Sequence, residues 1–213
     1  MKKIGVIAGT PTDTRMGAEY FEGRGMEVVA IPASGDSRAA LEFFAADEDY
    51  KIEQMKAAIS KIKEESGEAI CVYCNALSAA VDFKSLSRSE KIIIVTPFDA
   101  YEKIAGEYKV IGNLAATTGT LAKFEETVQK VNPDADVQGQ HLQRLTDDIE
   151  KGEAPAGLIE RFGLKNYVEF CEKSGCDCLI LTCTHFPYLK EELQELTAIP
   201  IIDPADTMFQ LMD

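Results

Sequence analysis

The chain has 213 residues, 46% of them hydrophobic, and a formal net charge of −14. That is enough apolar material for a sizeable core in one domain or two small ones, and the acidic balance argues against nucleic-acid or anionic-membrane partners, which need clustered Lys and Arg. No run of 18 apolar residues is present, so no membrane-spanning helix is expected. With six cysteines and no signal-peptide pattern, the thiols are expected to be reduced in the cytoplasm.

In chain order, apolar and β-branched runs occur at "KIGVIA" (3–8), "EVVAIPA" (27–33), "AICVYCN" (69–75), "KIIIVTP" (91–97), "KVIGNLAA" (109–116), "CLILTCT" (178–184) and "IPIID" (199–203). A weaker run is "ADVQGQ" (135–140). Continuous apolar runs without alternation predict strands buried on both faces, as in parallel sheets. Helical spacing appears between them at 49–65, 119–131, 142–152 and 164–175. Strand and helix alternate, which predicts βαβ units and the α/β class.

Two strand ends echo each other about half the chain apart. One is "AICVYCN", ending in Cys74-Asn75; the other is "CLILTCTH", ending in Cys183-Thr184-His185. The echo predicts two similar parallel-sheet α/β domains related by a pseudo-twofold, with the active site between them. The expected boundaries are 1–96 for the first domain, with 205–213 returning to it, and 97–204 for the second.

In open α/β sheets, ligands bind beyond the carboxyl ends of the strands. Cys74 and Cys183 are expected at such ends, each with a helix starting next. A helix N-terminus offers free N–H groups and partial positive charge, both of which favour a thiolate. Asn75 and Thr184 are suited to cap or donate at the same turns. Two such halves would place two acid/base groups on opposite sides of one small anion. Inverting a carbon stereocentre without a cofactor needs that arrangement: a base on one face and an acid on the other.

Spacing alone leaves Cys74 and Cys183 equally suited to core packing, because free cysteine is often a small buried hydrophobe. Cys71, Cys171, Cys176 and Cys178 fall mid-strand or on helix patterns and are expected in the core. The order Cys171, Cys176, Cys178, Cys183 lacks the paired knuckles of a zinc site, so no metal is expected. "GVIAGTPTDTRMG" is only a partial glycine-rich match, so no nucleotide or other cofactor is expected either.

"YCNALSA" and "LTCTHFP" resemble the two active-site motifs of glutamate racemase, in the cofactor-independent aspartate/glutamate racemase superfamily. "IGNLAATTGTLAKF" (111–124) resembles that family's strand-turn-helix, "LQRLTDDIEKGE" its helix ending in Ile-Glu-x-Gly, and "IIDPADT" its late strand. The resemblance implies that Cys74 and Cys183 are the two acid/base thiols, working on the D- and L-faces respectively. It implies that His185 and Glu150 assist Cys183, and that Asn75, Thr117, Thr120 and Thr184 hold the substrate's carboxylate and amino groups. The "TTGT" turn independently offers hydroxyls and a helix N-terminus to a carboxylate. His141 matches no motif and is expected to be structural or exposed.

The pattern breaks in the first half. The family's Asp-Ser-Gly after the first strand is Ala8-Gly9-Thr10 here, its Pro-Tyr-Gly has no clear match, and its Cys-Asn-Thr is Cys74-Asn75-Ala76. A carboxylate that would help the first thiol is therefore missing from its family position; Asp13, Thr10 and Ser34 lie nearby in sequence and could substitute. The expected function is a two-cysteine racemase or epimerase acting on glutamate, aspartate or a related acidic amino acid or dicarboxylate, with a homodimer left open. The alternatives are a hydantoin racemase, maleate isomerase or decarboxylase type of activity, or a non-catalytic small-carboxylate binder.

Overall fold

A computed structural model describes residues 2–212. The chain forms two compact units, residues 1–99 with 208–213 and residues 100–207. No helix among the described residues is long and apolar enough to cross a membrane.

The first unit runs β1 (Lys3–Ala8), α1 (Pro11–Glu22), β2 (Glu27–Pro32), α2 (Ser37–Ala45), α3 (Glu48–Glu64), β3 (Ala69–Val72), α4 (Asn75–Ala80), α5 (Phe83–Glu90) and β4 (Ile93–Val95). Its strands form one parallel sheet in the order β2-β1-β3-β4. Helix α6 (Pro97–Ile104) carries the chain onward. The second unit then runs β5 (Val110–Ala115), α7 (Thr118–Val131), β6 (Asp136–His141), α8 (Gln143–Glu150), α9 (Pro155–Arg161), α10 (Leu164–Lys173) and β7 (Cys178–Thr182). The second unit continues with a 3₁₀ turn (Phe186–Leu189), α11 (Lys190–Gln194), β8 (Ile201–Ile202) and the start of α12 (Pro204–Met212), whose residues from Met208 onward belong to the first unit. Its parallel sheet has the order β6-β5-β7-β8, the same topology as the first.

The central strands are the apolar runs of the sequence. Every residue of β3 and β7 is buried, and Ile4, Val6 and Ile7 of β1 have no exposed surface. The expectation of strands buried on both faces fails at the edges. β2 and β6 are only partly covered, and Ile93 of β4 is 59% exposed, because an edge strand has a neighbour on one side only. Strand β4 is also shorter than its apolar run. Lys91 has φ +52°, a left-handed cap to α5 that leaves Lys91 and Ile92 outside the sheet.

Phe21 of α1 and Met55, Ile59 and Ile62 of α3 fill the first core. In the second, Leu114, Leu179 and Leu181 of the sheet meet Leu145 and Ile149 of α8, Leu158 of α9, and Val168 and Cys171 of α10. Each such side chain stabilises the fold by about 1.5–3 kcal/mol relative to exposure. The helices start where the sequence supplies caps. Thr10 accepts from Asp13 N at 3.2 Å ahead of α1, and Thr117 accepts from Thr120 N at 3.1 Å ahead of α7.

Candidate active site

Register places the chemistry at one end of each sheet. In the second unit, Ala115 of β5 pairs with both Thr182 of β7 and His141 of β6. The Thr117 turn, Cys183 and the start of α8 therefore leave the sheet at one level. His141 itself is exposed.

Cys183 lies just beyond β7 and is 6% exposed. Its Sγ is 3.8 Å from His185 Nδ1, and His185 Nε2 is 3.0 Å from Glu150 Oε1. This is a thiol–imidazole–carboxylate line within hydrogen-bond reach. The His185 side chain is 5% exposed, and the Glu150 side chain is 19% exposed at the end of α8. With Nε2–H donated to the carboxylate, Nδ1 is the acceptor that faces the thiol. A line of this kind can take the thiol proton and hold the resulting imidazolium against a carboxylate.

Thr146 Oγ1 also lies 3.8 Å from Cys183 Sγ. The sequence reading missed it, although Thr146 and Glu150 are four apart on α8 and so share a face. Thr117 and Thr120 hydroxyls are 3.0 Å apart at the N-terminus of α7, with Thr120 buried. Thr184 is buried in the turn after Cys183. That turn differs from expectation: a 3₁₀ turn, not an α-helix, follows Cys183. Phe186 N donates to Cys183 O and Tyr188 N to His185 O, the i→i+3 pattern of a 3₁₀ turn.

In the first unit, Cys74 is the residue that enters α4, with extended backbone, and Asn75 is the first helical residue, not the cap. Ser78 donates its hydroxyl to Cys74 O at 2.7 Å, and Asn75 is 3% exposed. Tyr73 is held because Gly17 of α1 has no side chain; a Cβ there would lie 2.7 Å from the Tyr73 ring. Gly9 does the same for the thiol. A Cβ at residue 9 would meet Cys74 Sγ at 3.2 Å, Phe44 Cζ at 3.3 Å and Asp13 Oδ2 at 3.9 Å. Of the three suggested substitutes for the missing carboxylate, Thr10 caps α1 and Ser34 donates to the Gly9 carbonyl. Asp13 is buried, and its Oδ2 lies 3.9 Å from the Cβ position at Gly9 that Cys74 Sγ approaches to 3.2 Å.

The other four cysteines are buried in their own cores. Burial pushes the thiols of Cys71, Cys171 and Cys178 up, and Cys176 up to about 12. Thiols so held stay protonated and unreactive at neutral pH. Among the described residues, no three His, Cys, Asp or Glu side chains are grouped to hold a metal ion.

No family model matches the chain. Among curated proteins it is similar to the glutamate racemase of Stutzerimonas stutzeri (strain A1501), 33% identical over 152 residues, covering 70% of this chain and 57% of the relative. It is similar to that of Ectopseudomonas mendocina (strain ymp), 34% identical over 161 residues, covering 73% and 60%. The chain thus spans somewhat over half the length of these relatives. Among solved structures, the glutamate racemase of Francisella tularensis in complex with D-glutamate aligns with TM-score 0.75 at 19% identity, over 99% of this chain and 79% of that one. An aspartate racemase homologue from Pyrococcus horikoshii OT3 aligns with TM-score 0.72 at 19% identity, over 100% and 98%. The structural likenesses carry the fold, and the curated relatives carry the lineage. The chain belongs to the aspartate/glutamate racemase superfamily, close to the glutamate racemases.

Proposed function

We propose that this protein is a cofactor-independent amino-acid racemase whose acid/base pair is Cys74 and Cys183. The observation that carries the reading is the line from Cys183 Sγ through His185 to Glu150. A thiol needs such a line only if it gains and loses protons. The residue that matches it in the internal repeat, Cys74, supplies the second thiol.

In this reading one sulfur, as thiolate, takes the α-proton of the bound amino acid. The opposite thiol delivers its proton to the other face of the same carbon. Substrate proton count is unchanged, the stereocentre is inverted, and the two sulfurs exchange protonation states. His185 and Glu150 balance charge on the Cys183 side. Thr117, Thr120, Thr184 and Asn75 hold the carboxylate and amino groups, aided by the N-terminus of α7. The domains proposed for this division of labour are 1–96 with 205–213, and 97–204.

The substrate proposed is glutamate, aspartate or a close relative. The curated relatives are glutamate racemases, and the Francisella neighbour is described in complex with D-glutamate. Ala8 and Ala76, where the family has Asp and Thr, remove a carboxylate and a hydroxyl on the first-unit side, so glutamate turnover is expected to be slow. The test is incubation of single enantiomers of an acidic amino-acid panel in D₂O, followed by NMR and chiral chromatography. Deuterium entering the α-position together with inversion supports the reading. No exchange with any member overturns it in favour of a carboxylate binder.

A further inference from the structure

We propose that Arg161 is a positioning residue for the proton line: by clamping the C-terminal cap of α8, it holds Glu150 against His185. The inference deepens the racemase reading and takes its catalytic meaning from it, but its first readout does not need racemase activity.

Glu150 is the last residue of α8, where no further helical turn holds it. The backbone there closes in a Schellman motif. Glu153 N donates to Asp148 O at 3.3 Å and Gly152 N to Ile149 O at 2.9 Å, with Gly152 at φ +77°. This closure joins residues 148 and 153 through the backbone, and Glu150 lies between them. Arg161 joins the same two residues through their side chains. Its Nη2 lies 2.7 Å from Asp148 Oδ2 and 2.8 Å from Glu153 Oε2. One nitrogen therefore bridges both carboxylates across the cap.

Asp148 is 2% exposed, and a carboxylate so buried needs compensation. Lys151 Nζ lies 2.8 Å from its Oδ1 and Arg144 Nε 3.9 Å from its Oδ2. Lys151 above all, with Arg161 and Arg144 adding, holds the carboxyl below its ordinary range. Lys151 and Arg144, however, belong to α8 or its cap and move with it. Arg161 comes from α9, whose Leu158 and Ile159 sit in the second core with Leu145 and Ile149 of α8. Among the described residues, it is the one cation that ties this carboxylate to another element.

The cap is held from the other side as well. Tyr188 Oη donates to the Glu153 carbonyl at 3.2 Å, and Tyr188 N donates to His185 O in the 3₁₀ turn. The segment bearing Glu150 and the turn bearing His185 therefore meet at the Glu150–His185 bond and again at Glu153 and Tyr188. Without the guanidinium, Asp148 and Glu153 face each other as like charges across the closure. The cap then opens, and Glu150 leaves the imidazole.

The experiment is ¹H–¹⁵N NMR of the imidazole N–H groups in protein labelled with ¹⁵N at histidine. The chain has two histidines, and His141 is exposed, so its ring N–H exchanges rapidly with water. The buried His185 Nε2–H, donated to Glu150, is expected as a single protected signal that Glu150→Ala removes. Arg161→Gln should lose or broaden this signal while circular dichroism shows a folded protein. Arg161→Lys, which keeps the charge, should retain it. In turnover, Arg161→Gln should lower kcat by up to about 10²-fold, the cost of a misplacement of about 1 Å, with a smaller change in KM. An undisturbed signal in folded Arg161→Gln overturns the proposal. Loss in both variants also overturns it, because the effect then belongs to packing and not to the charge clamp. If Arg161→Gln does not fold, Glu153→Ala removes one arm of the clamp at a partly exposed position. A weakened signal there supports the proposal, and an unchanged one overturns it. A protein without racemase activity still gives the NMR readouts. An active racemase whose signal ignores Arg161 keeps its function and loses the clamp, so the two readings fail separately.

Discussion

His185 Nε2 lies 3.0 Å from Glu150 Oε1, although 35 residues separate them in sequence. The fold achieves this by starting α8 beyond β6 at the level where β7 ends, with Glu150 one helix length further on. The carboxylate then fixes the imidazole ring, so that Nδ1 faces Cys183 Sγ. If this line moves protons, neutralising its far end should weaken the thiol's base. Glu150→Gln is expected to lower kcat by about 10²-fold, within the usual contribution of a positioned acid/base system, with a smaller change in KM. Steady-state kinetics in both directions checks this; a change confined to KM would reassign Glu150 to substrate binding.

Gly9 is predicted to be intolerant of the smallest addition. In Gly9→Ala the new methyl meets Cys74 Sγ at 3.2 Å and Phe44 at 3.3 Å, both side chains that can shift by tenths of an ångström. The expected cost is about 1–3 kcal/mol in stability, with a loss of activity larger than the stability change explains. Urea denaturation alongside kinetics separates the two. Wild-type activity in Gly9→Ala would show that the space beside the thiol is not used.

Asn113 and Thr182 form a polar pair with no exposed surface in the second core. Thr182 Oγ1 donates to Asn113 Oδ1 at 2.6 Å, and Asn113 Nδ2 is buried without a hydrogen-bond partner. Breaking the pair on one side, as in Thr182→Val, should cost about 1–3 kcal/mol, because Asn113 then loses its remaining side-chain bond. The double change Asn113→Leu with Thr182→Val should recover most of that loss. A double-mutant cycle by urea denaturation tests the pair, and strict additivity would contradict it.

Stability should fall at alkaline pH. Burial raises the pKa of Cys71, Cys171, Cys176 and Cys178, and of Tyr167, above their unfolded values. These groups are neutral when protonated, so the folded state holds protons that the unfolded chain releases. Their stabilisation is complete below the unfolded thiol value of about 8.5 and is lost as pH rises from there towards the folded values. Each thiol contributes a slope of up to about 1.4 kcal/mol per pH unit. Reversible unfolding under reducing conditions from pH 7 to 10 measures it. A flat profile would mean that the unfolded chain shields these thiols as well.

The sequence revealed more of the second half than of the first. β7 is a continuous apolar run, so Cys183 and His185 stood out at its end, and Glu150 closed a readable helix. Thr146 needed only helical spacing from Glu150, but nothing local marked it as facing a thiol. Helix α1 was not legible, because its buried face is Asp13, Thr14, Gly17, Ala18 and Phe21. Small and polar residues give no apolar stripe there. Gly17 is buried because Tyr73 lies against it, a contact between distant segments that local pattern cannot report. For the same reason Asp13 could be suggested only by its nearness in sequence to the altered Ala8. Strand ends were overextended at Cys74 and Cys183. Apolar character continues past the last ladder hydrogen bond, into the turns where the thiols sit.

The most direct test of the two-thiol account is racemisation by Cys74→Ala and Cys183→Ala, each followed by circular dichroism from pure D- and pure L-glutamate and aspartate. Inversion needs a proton removed on one face and delivered on the other. The account therefore predicts that each single replacement abolishes racemisation in both directions, while the protein stays folded. Racemisation at the unsubstituted rate in either variant would contradict it.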